Sequence, residues 1–123
     1  MLYAILCYDS EAEIEAWPKA KDDQVMADLG GVLTKLAEQK RLGPTARLMP
    51  TTAATTVRKG KQATVIDGPF AETKEQLLGF YVIECASLEA ALETAHELAR
   101  ASGSAGAFEI RPLKFFEPGV GVR

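Results

Sequence analysis

The sequence predicts an α+β fold, and three observations along its 123 residues support this. Short apolar runs with the composition of strands lie near the start, the middle and the end of the chain. Two stretches with apolar residues at helical spacing separate these runs, and a threonine-rich segment lies between the two halves. The resulting order is β-α-β, a hairpin insert, then β-α-β, which is the order of the ferredoxin-like or split βαβ fold.

The first predicted strand covers Leu2 to Tyr8 and is apolar on both of its faces. One alternating set contains Leu2, Ala4 and Leu6, and the other set also consists of apolar or aromatic residues. A strand with one face in water alternates apolar and polar residues instead. We therefore expect this strand to be covered on both sides.

The first helix is predicted to begin near Trp17-Pro18, because proline suits the first turn of a helix. The preceding acidic segment, Asp9 to Ala16, is predicted to be a loop. Gly43 is expected to end the helix, and its apolar face consists of Val25, Leu29, Val32, Leu33 and Leu36. Gly30-Gly31 lies inside this helix, where each glycine is less favourable than alanine by about 1 kcal/mol. The pair therefore indicates either a bend in the helix or a partner that packs close to its backbone.

The middle of the chain predicts a short strand at Ala46 to Met49, ended by Pro50, and then a hairpin. The hairpin strands are Thr55 to Arg58 and Ala63 to Ile66, joined by a turn at Lys59-Gly60-Lys61. The basic residues at its tip are either solvated or contact an anion or a partner.

The second half predicts a turn, a strand, a helix and a final strand. Asp67-Gly68 indicates the turn, and Ser87 is a suitable N-cap for the helix. Pro112 cannot donate to a strand ladder, so the last strand is expected at a sheet edge or with a bulge. The predicted elements are a single helical turn at Thr73 to Gln76, a strand at Phe80 to Cys85, a helix ending at Ser102-Gly103-Ser104, and a strand at Phe108 to Phe116.

Two helices cover only one face of a sheet, yet the strands at Leu2 to Tyr8 and Phe80 to Cys85 are apolar on both faces. The simplest cover for the second face is the sheet of a second copy, which predicts a homodimer. The alternative is that the hairpin and the tail fold back over the sheet.

Length and composition predict one domain spanning residues 1–123. The formal charge of −3 gives no electrostatic reason to expect nucleic-acid binding. The start of the chain, Met1 to Cys7, lacks the features of a signal peptide or a membrane span, so we expect a cytoplasmic protein without membrane contact. Cys7 and Cys85 are expected to be free buried thiols.

The decapeptide Asp67-Gly68-Pro69-Phe70-Ala71-Glu72-Thr73-Lys74-Glu75-Gln76, followed by Gly79-Phe80-Tyr81, resembles the signature of the DGPF-domain, YCII-related family of small bacterial proteins. Thr52 to Arg58, Glu109 to Pro112 and the opening Met1 to Tyr8 are also similar to that family. The resemblance implies a dimeric α+β barrel of two ferredoxin-like units and no established activity. It also implies a regulatory association, because some members are encoded beside or fused to sigma factors.

The histidine content departs from the family. Shorter YCII relatives carry a histidine on the first helix, paired with an aspartate as a proposed catalytic dyad. Here the single histidine, His96, lies on the second predicted helix. The His-Asp mechanism proposed for those relatives is therefore not expected in this chain.

The candidate catalytic residues are Asp67, Glu72 and Lys74, which lie close together at the start of a predicted central strand. A lysine beside two carboxylates could hold both ionised and orient a polar substrate. Asp67 could equally be a turn residue that binds backbone amides, and the three charges could be a salt-bridge network that fixes the loop.

The candidate ligand-binding residues are Gly68, Tyr81 and Tyr3. Glycine lets backbone approach a ligand, and tyrosine hydroxyls could line a cleft, although turn geometry and core packing are the alternatives. Arg47 and Arg111 are expected to pair with Glu84 or Glu109 across strands rather than bind an anion. No metal ligand set or phosphate loop is present, so we predict no cofactor.

Two functions follow from these observations. The first is a small-molecule site with acid-base chemistry in a dimer cleft. The second is a non-enzymatic dimeric module associated with sigma-factor regulation.

Overall fold

A computed structural model describes residues 1–121 and confirms the α+β class. These residues form six strands, three α-helices and one 3-10 turn at Thr51–Ala53. The elements are β1 (Leu2–Asp9), α1 (Glu11–Glu15), α2 (Lys19–Glu38), β2 (Leu42–Arg47), β3 (Thr55–Arg58), β4 (Thr64–Asp67), β5 (Gln76–Glu84), α3 (Leu88–Ser102) and β6 (Ala107–Pro112).

The main sheet has the strand order β2-β5-β1-β6, and each neighbouring pair is antiparallel. The two apolar strands, β1 and β5, are therefore central. β6 lies at an edge, as Pro112 predicts, and Pro112 pairs with Tyr3 at the end of the ladder. β3 and β4 form a separate two-stranded hairpin, which confirms the predicted insert.

α3 forms where its caps predict it. The Ser87 hydroxyl accepts a hydrogen bond from the Ala90 N–H at 3.2 Å, and Gly103 ends the helix with φ +65°. Its buried face consists of Ala91, Thr94, Ala95 and Leu98. Leu88 and Leu92 remain 48% and 42% exposed, so only part of the apolar side chains of α3 is buried.

The segment Asp9 to Ala16, predicted to be a loop, contains the short helix α1. Ser10 caps it by accepting from the Glu13 N–H at 3.3 Å, and Glu11 and Glu13 stand in its first turn. The helix buries no residue fully. It therefore carries no apolar periodicity that would have predicted it.

α2 ends at Glu38, earlier than predicted, and Lys40 follows with a left-handed φ of 58°. Gly43 is not a helix stop but part of β2, which begins at Leu42 rather than Ala46. A Cβ at Gly43 would lie 2.8 Å from the Val82 carbonyl oxygen, so glycine permits the close approach of β2 to β5.

Two further boundaries differ from the prediction. Thr73 to Gln76 forms no helical turn, because the Thr73 hydroxyl donates to the Glu75 carbonyl and Gln76 already begins β5. The last strand ends at Pro112 rather than Phe116.

α2 and α3 pack on one face of the sheet, against Tyr3, Ile5 and Ile83. On the opposite face Ala4 pairs with Val82, and Leu6 pairs with Phe80. The side chains at Ala4, Leu6 and Phe80 are only partly buried. The hairpin and tail contribute little apolar cover, since Val57, Val65 and Phe115 are 61%, 71% and 81% exposed.

Both cysteines are free, with Cys85 buried and Cys7 partly buried. Among the helices described, none combines the length and apolarity needed to cross a membrane.

Candidate functional site

A cavity of about 230 Å³ lies on the helix-covered side of the sheet, bordered by β1, α1, α2, β2 and β5. Its wall is mostly apolar and includes Ile14, Trp17, Val25, Met26, Leu29 and Leu33. The ionisable side chains on this wall are Cys7, Asp9, Asp22, Arg47 and Tyr81. We call this space the Asp9 cavity.

Strand register sets the position of the side chains on the sheet side of the cavity. Cys7 pairs with Gly79 on one side, and Arg47 pairs with Gly79 on the other. These three residues therefore form one row across three strands. A Cβ at Gly79 would overlap the Ala46 carbonyl oxygen, so only glycine allows β2 to approach β5 here.

Asp9 ends β1 and is only 5% exposed, yet it carries an ionisable carboxyl group. Its Oδ1 accepts a hydrogen bond from the Ser10 N–H at 3.1 Å. No hydrogen bond reaches its Oδ2 within residues 1–121, and this oxygen keeps contact with solvent, because no buried side-chain N or O atom of the described residues lacks a partner. Gly106 makes room for it, since a Cβ there would lie 2.9 Å from this oxygen. Asp9 is therefore nearly buried as a residue but keeps one carboxyl oxygen accessible and free to accept a hydrogen bond.

A second, smaller cavity of about 80 Å³ adjoins the same carboxyl group. Cys7, Asp9, Ser102 and Ser104 line both spaces. The Ser104 hydroxyl donates to the Ser102 hydroxyl at 3.4 Å, so this side is polar where the larger cavity is apolar. Such a space is large enough to hold water that contacts Asp9.

Burial raises the pKa of the Cys7 thiol to about 11, and the negative charge of Asp9 adds to this effect. Burial also raises the pKa of the Tyr81 hydroxyl above its ordinary value, with Cys7 as a further cause. The charge of Arg47 lowers both pKa values in part. Cys7 and Tyr81 are therefore both neutral at physiological pH. The neutral Cys7 thiol is a poor nucleophile, and the neutral Tyr81 hydroxyl can donate a hydrogen bond.

Arg47 extends from the end of β2, and its Nη1 contacts the Met26 sulfur at 3.1 Å. A thioether is a weak acceptor, and Arg47 forms no ion pair in the part of the chain that the structure describes. The prediction that it pairs with Glu84 or Glu109 is wrong. Glu84 binds the Met1 amino group at 2.5 Å, and Glu109 binds Arg111 on its own strand.

The predicted catalytic residues lie elsewhere. Asp67, Gly68 and Glu72 line a separate cavity of about 470 Å³, while Lys74 is exposed and does not line it. Both carboxylates are exposed. Gly68 has φ +114° and donates its N–H to the Ala54 carbonyl oxygen at 2.8 Å, so turn geometry accounts for this glycine.

The two predicted tyrosines are also separated from each other. Tyr81 lines the Asp9 cavity, whereas Tyr3 is 6% exposed and packs in the core. The structure thus places Tyr81 with Cys7, Asp9 and Arg47 rather than with the residues of the Asp67 turn.

Sequence reasoning missed Asp9 and set Arg47 aside. Asp9 seemed to open an acidic, solvated loop, because the chain continues with three glutamates before Trp17. Its position at the end of a doubly apolar strand was the available indication of burial. Within residues 1–121 no group of three His, Cys, Asp or Glu side chains is arranged to hold a metal ion.

Comparison with known proteins places the chain in a family. The model of the YCII-related domain matches residues 1–117. An uncharacterized protein of Rhizobium meliloti (strain 1021), R00369, is 55% identical over 120 residues, which is 97% of each chain. The chain therefore belongs to the YCII-related family.

Proposed function

We propose that this protein is a homodimer that binds a small molecule in the Asp9 cavity, where Asp9 transfers a proton. The observation that carries the proposal is the Asp9 carboxyl group, nearly buried and with one oxygen free, on the wall of a mostly apolar cavity. Small-molecule sites commonly combine such a wall with a few convergent polar groups.

The surrounding residues suit general acid-base chemistry. A base must lie within hydrogen-bond reach of the proton it removes, and Oδ2 is free to accept one. Tyr81 keeps its proton, because burial raises its pKa, and can donate to a developing negative charge. The small polar cavity behind Asp9 provides a route by which water can exchange the proton.

The dimer rests on the uncovered face of the sheet. The strand order β2-β5-β1-β6 with helices on one face is compatible with a ferredoxin-like unit, and we propose that two such units pack face to face as an α+β barrel. Partly buried Ala4, Leu6 and Phe80 would then pack against the same residues of a second copy.

Proton exchange with solvent tests the chemistry without knowledge of the substrate. The purified protein is incubated in D₂O with a metabolite extract, and mass spectrometry follows deuterium incorporation into carbon-bound positions. We expect one or a few metabolites to exchange with wild type but not with Asp9→Asn. Asp67→Asn is the matched variant at the other candidate carboxylate. If Asp67→Asn abolishes exchange and Asp9→Asn does not, the Asp67 turn is the site instead.

A second candidate function is a module that binds a regulatory protein, such as a sigma factor. The exposed apolar side chains of the β3–β4 hairpin and the following turn favour it, since Val57, Val65 and Phe70 are 61%, 71% and 70% exposed. A pull-down from native lysate, compared with the Val65→Lys variant, tests it. Recovery of a regulatory protein by wild type alone would support this candidate, and no enrichment would count against it.

A further inference from the structure

We propose that the Asp9 cavity binds a small organic monocarboxylate with an apolar body and a hydrogen-bond donor at the end remote from the carboxylate. The inference rests on the proposed function and adds the chemical class of the ligand. It follows from the positions of Arg47, Asp9 and the apolar wall between them.

Arg47 selects the carboxylate. Its guanidinium lies on the cavity wall, contacts only a thioether among protein acceptors within residues 1–121, and has no carboxylate partner there. A planar guanidinium binds a carboxylate through two parallel hydrogen bonds. The exposed position of Arg47 places this end of the ligand at the cavity opening.

Asp9 selects the donor. The Asp9 carboxyl group lines the cavity and in its ionised form can only accept hydrogen bonds, so the ligand must supply an O–H or N–H. This end of the ligand lies inside the protein, because Asp9 is 5% exposed.

The sheet sets the distance between the two ends. Cys7 and Arg47 lie on either side of β5, two inter-strand spacings apart, or roughly 10 Å between Cα atoms. Asp9 lies two residues further along β1, so its Cα is roughly 12 Å from that of Arg47. The side chains of Arg47 and Asp9 take up part of this distance, and the cavity of about 230 Å³ leaves room for a ring in contact with Trp17.

The wall between the two ends determines the body of the ligand. Trp17, Leu29 and Leu33 offer apolar contact, and a Cβ added at Gly30 would meet nothing from the neighbouring elements within 4 Å. Gly30 therefore leaves space open that a side chain would occupy.

Charge balance limits the ligand to one negative charge. Asp9 and Asp22 border the cavity, and Arg47 is the one cation on its wall among the described residues. A dianion, such as a phosphate ester, would add repulsion from both carboxylates without a second cation to offset it. Among anionic ligands, the charges on the wall therefore favour a monocarboxylate over a dianion.

Trp17 provides the readout, because it is the only tryptophan of the chain and lines the cavity. Tryptophan fluorescence is followed during titration with three probes of similar size: 4-hydroxyphenylacetate, phenylacetate and tyramine. We expect 4-hydroxyphenylacetate to bind best. Phenylacetate lacks the donor and tyramine lacks the carboxylate, so each should bind roughly tenfold more weakly or worse.

Variants of Arg47 and Asp9 test which residue binds each end of the ligand. Arg47→Gln should weaken 4-hydroxyphenylacetate roughly tenfold or more and leave tyramine unaffected, while Arg58→Gln on the hairpin serves as the matched control. Asp9→Asn should remove the preference for 4-hydroxyphenylacetate over phenylacetate.

The outcomes separate the two proposals. Equal or tighter binding of tyramine, or carboxylate binding that survives Arg47→Gln, overturns the ligand class but leaves a small-molecule cavity in place. If none of the three probes changes the fluorescence and no metabolite exchanges in D₂O, both the ligand class and the proposed function are wrong.

Discussion

Gly30 and Gly79 both border the Asp9 cavity, but a side chain would have opposite consequences at the two positions. At Gly79 a Cβ would overlap the backbone of Ala46, so any side chain pushes β2 away from β5. At Gly30 the same atom would enter open space. The fold therefore requires the first glycine, whereas the packing around the second would admit a larger residue.

These two glycines give a paired prediction. Gly79→Ala should lower the free energy of unfolding by about 3 kcal/mol or more, because the overlap involves backbone that cannot rotate away. Gly30→Ala should raise it by up to about 1 kcal/mol through helix propensity. Urea denaturation of both variants measures the difference. Equal effects of the two substitutions would contradict the assignment.

Because the pKa of the Cys7 thiol is raised in the folded protein, we expect the free energy of unfolding to fall at alkaline pH. Its pKa is about 11 in the folded protein and 9.0 ordinarily, so above pH 9 the unfolded chain gives up the proton first. Stability is thus retained below about pH 9 and falls as pH rises toward 11. We expect a loss of roughly 1 kcal/mol after allowance for the thiol's partial exposure.

The variant Cys7→Ala isolates this contribution from the lysines and tyrosines that titrate in the same range. Denaturation at several pH values should show a steeper alkaline fall for wild type than for Cys7→Ala. Parallel curves would mean that the thiol is not buried as described.

Residue-level sequence reasoning failed where burial depends on distant packing. Asp67 and Glu72 looked like a site because they are close in sequence, yet both side chains are exposed. Asp9, Arg47 and Tyr81 lie on three different strands, and only the register brings them to one cavity. The sequence offers no pattern from which that register could be read.

At the scale of elements, α1 is attached to the rest of the protein by one carboxylate. Glu11 accepts from the Thr51 N–H and from the Thr51 hydroxyl, each at 2.8 Å, and its own N–H donates to Gln76 at 3.0 Å. α1 has no fully buried residue to hold it otherwise. These contacts therefore position Ile14 and Trp17 on the cavity wall.

We expect Glu11→Ala to loosen α1 without unfolding the domain. The loss of two hydrogen bonds to one carboxylate costs about 1–3 kcal/mol locally. Hydrogen exchange should accelerate in residues 11–17 and remain unchanged in α3. Glu13→Ala is the control, because it removes a negative charge from the same helix. If Glu13→Ala accelerates hydrogen exchange in residues 11–17 as much as Glu11→Ala does, the proposed role of Glu11 is wrong.

The elements that sequence patterns predicted are those with a strong local signal. β1, the hairpin and α3 follow from apolar runs, turn residues and a serine cap. α1 and the early start of β2 were missed, because a short polar helix has no apolar period and a strand containing Gly43-Pro44 lacks strand composition.

At the scale of the whole molecule, the uncovered sheet face predicts association. Wild type should sediment at twice the 13.3 kDa mass of the chain at micromolar concentration. Leu6→Glu places a charge in the middle of this face and should give monomers that keep their circular dichroism. Leu92→Glu, on an exposed face of α3, should remain dimeric. A wild-type monomer would contradict the proposed barrel.

The Asp9 cavity is the place where we propose that a small molecule binds. A crystal structure of the protein grown with a low-molecular-mass extract of native cells tests this directly. We predict ligand density between Asp9 Oδ2 and the Arg47 guanidinium, in contact with Trp17. Density at the Asp67 turn instead, or an Asp9 cavity filled by side chains of the second copy, would contradict it.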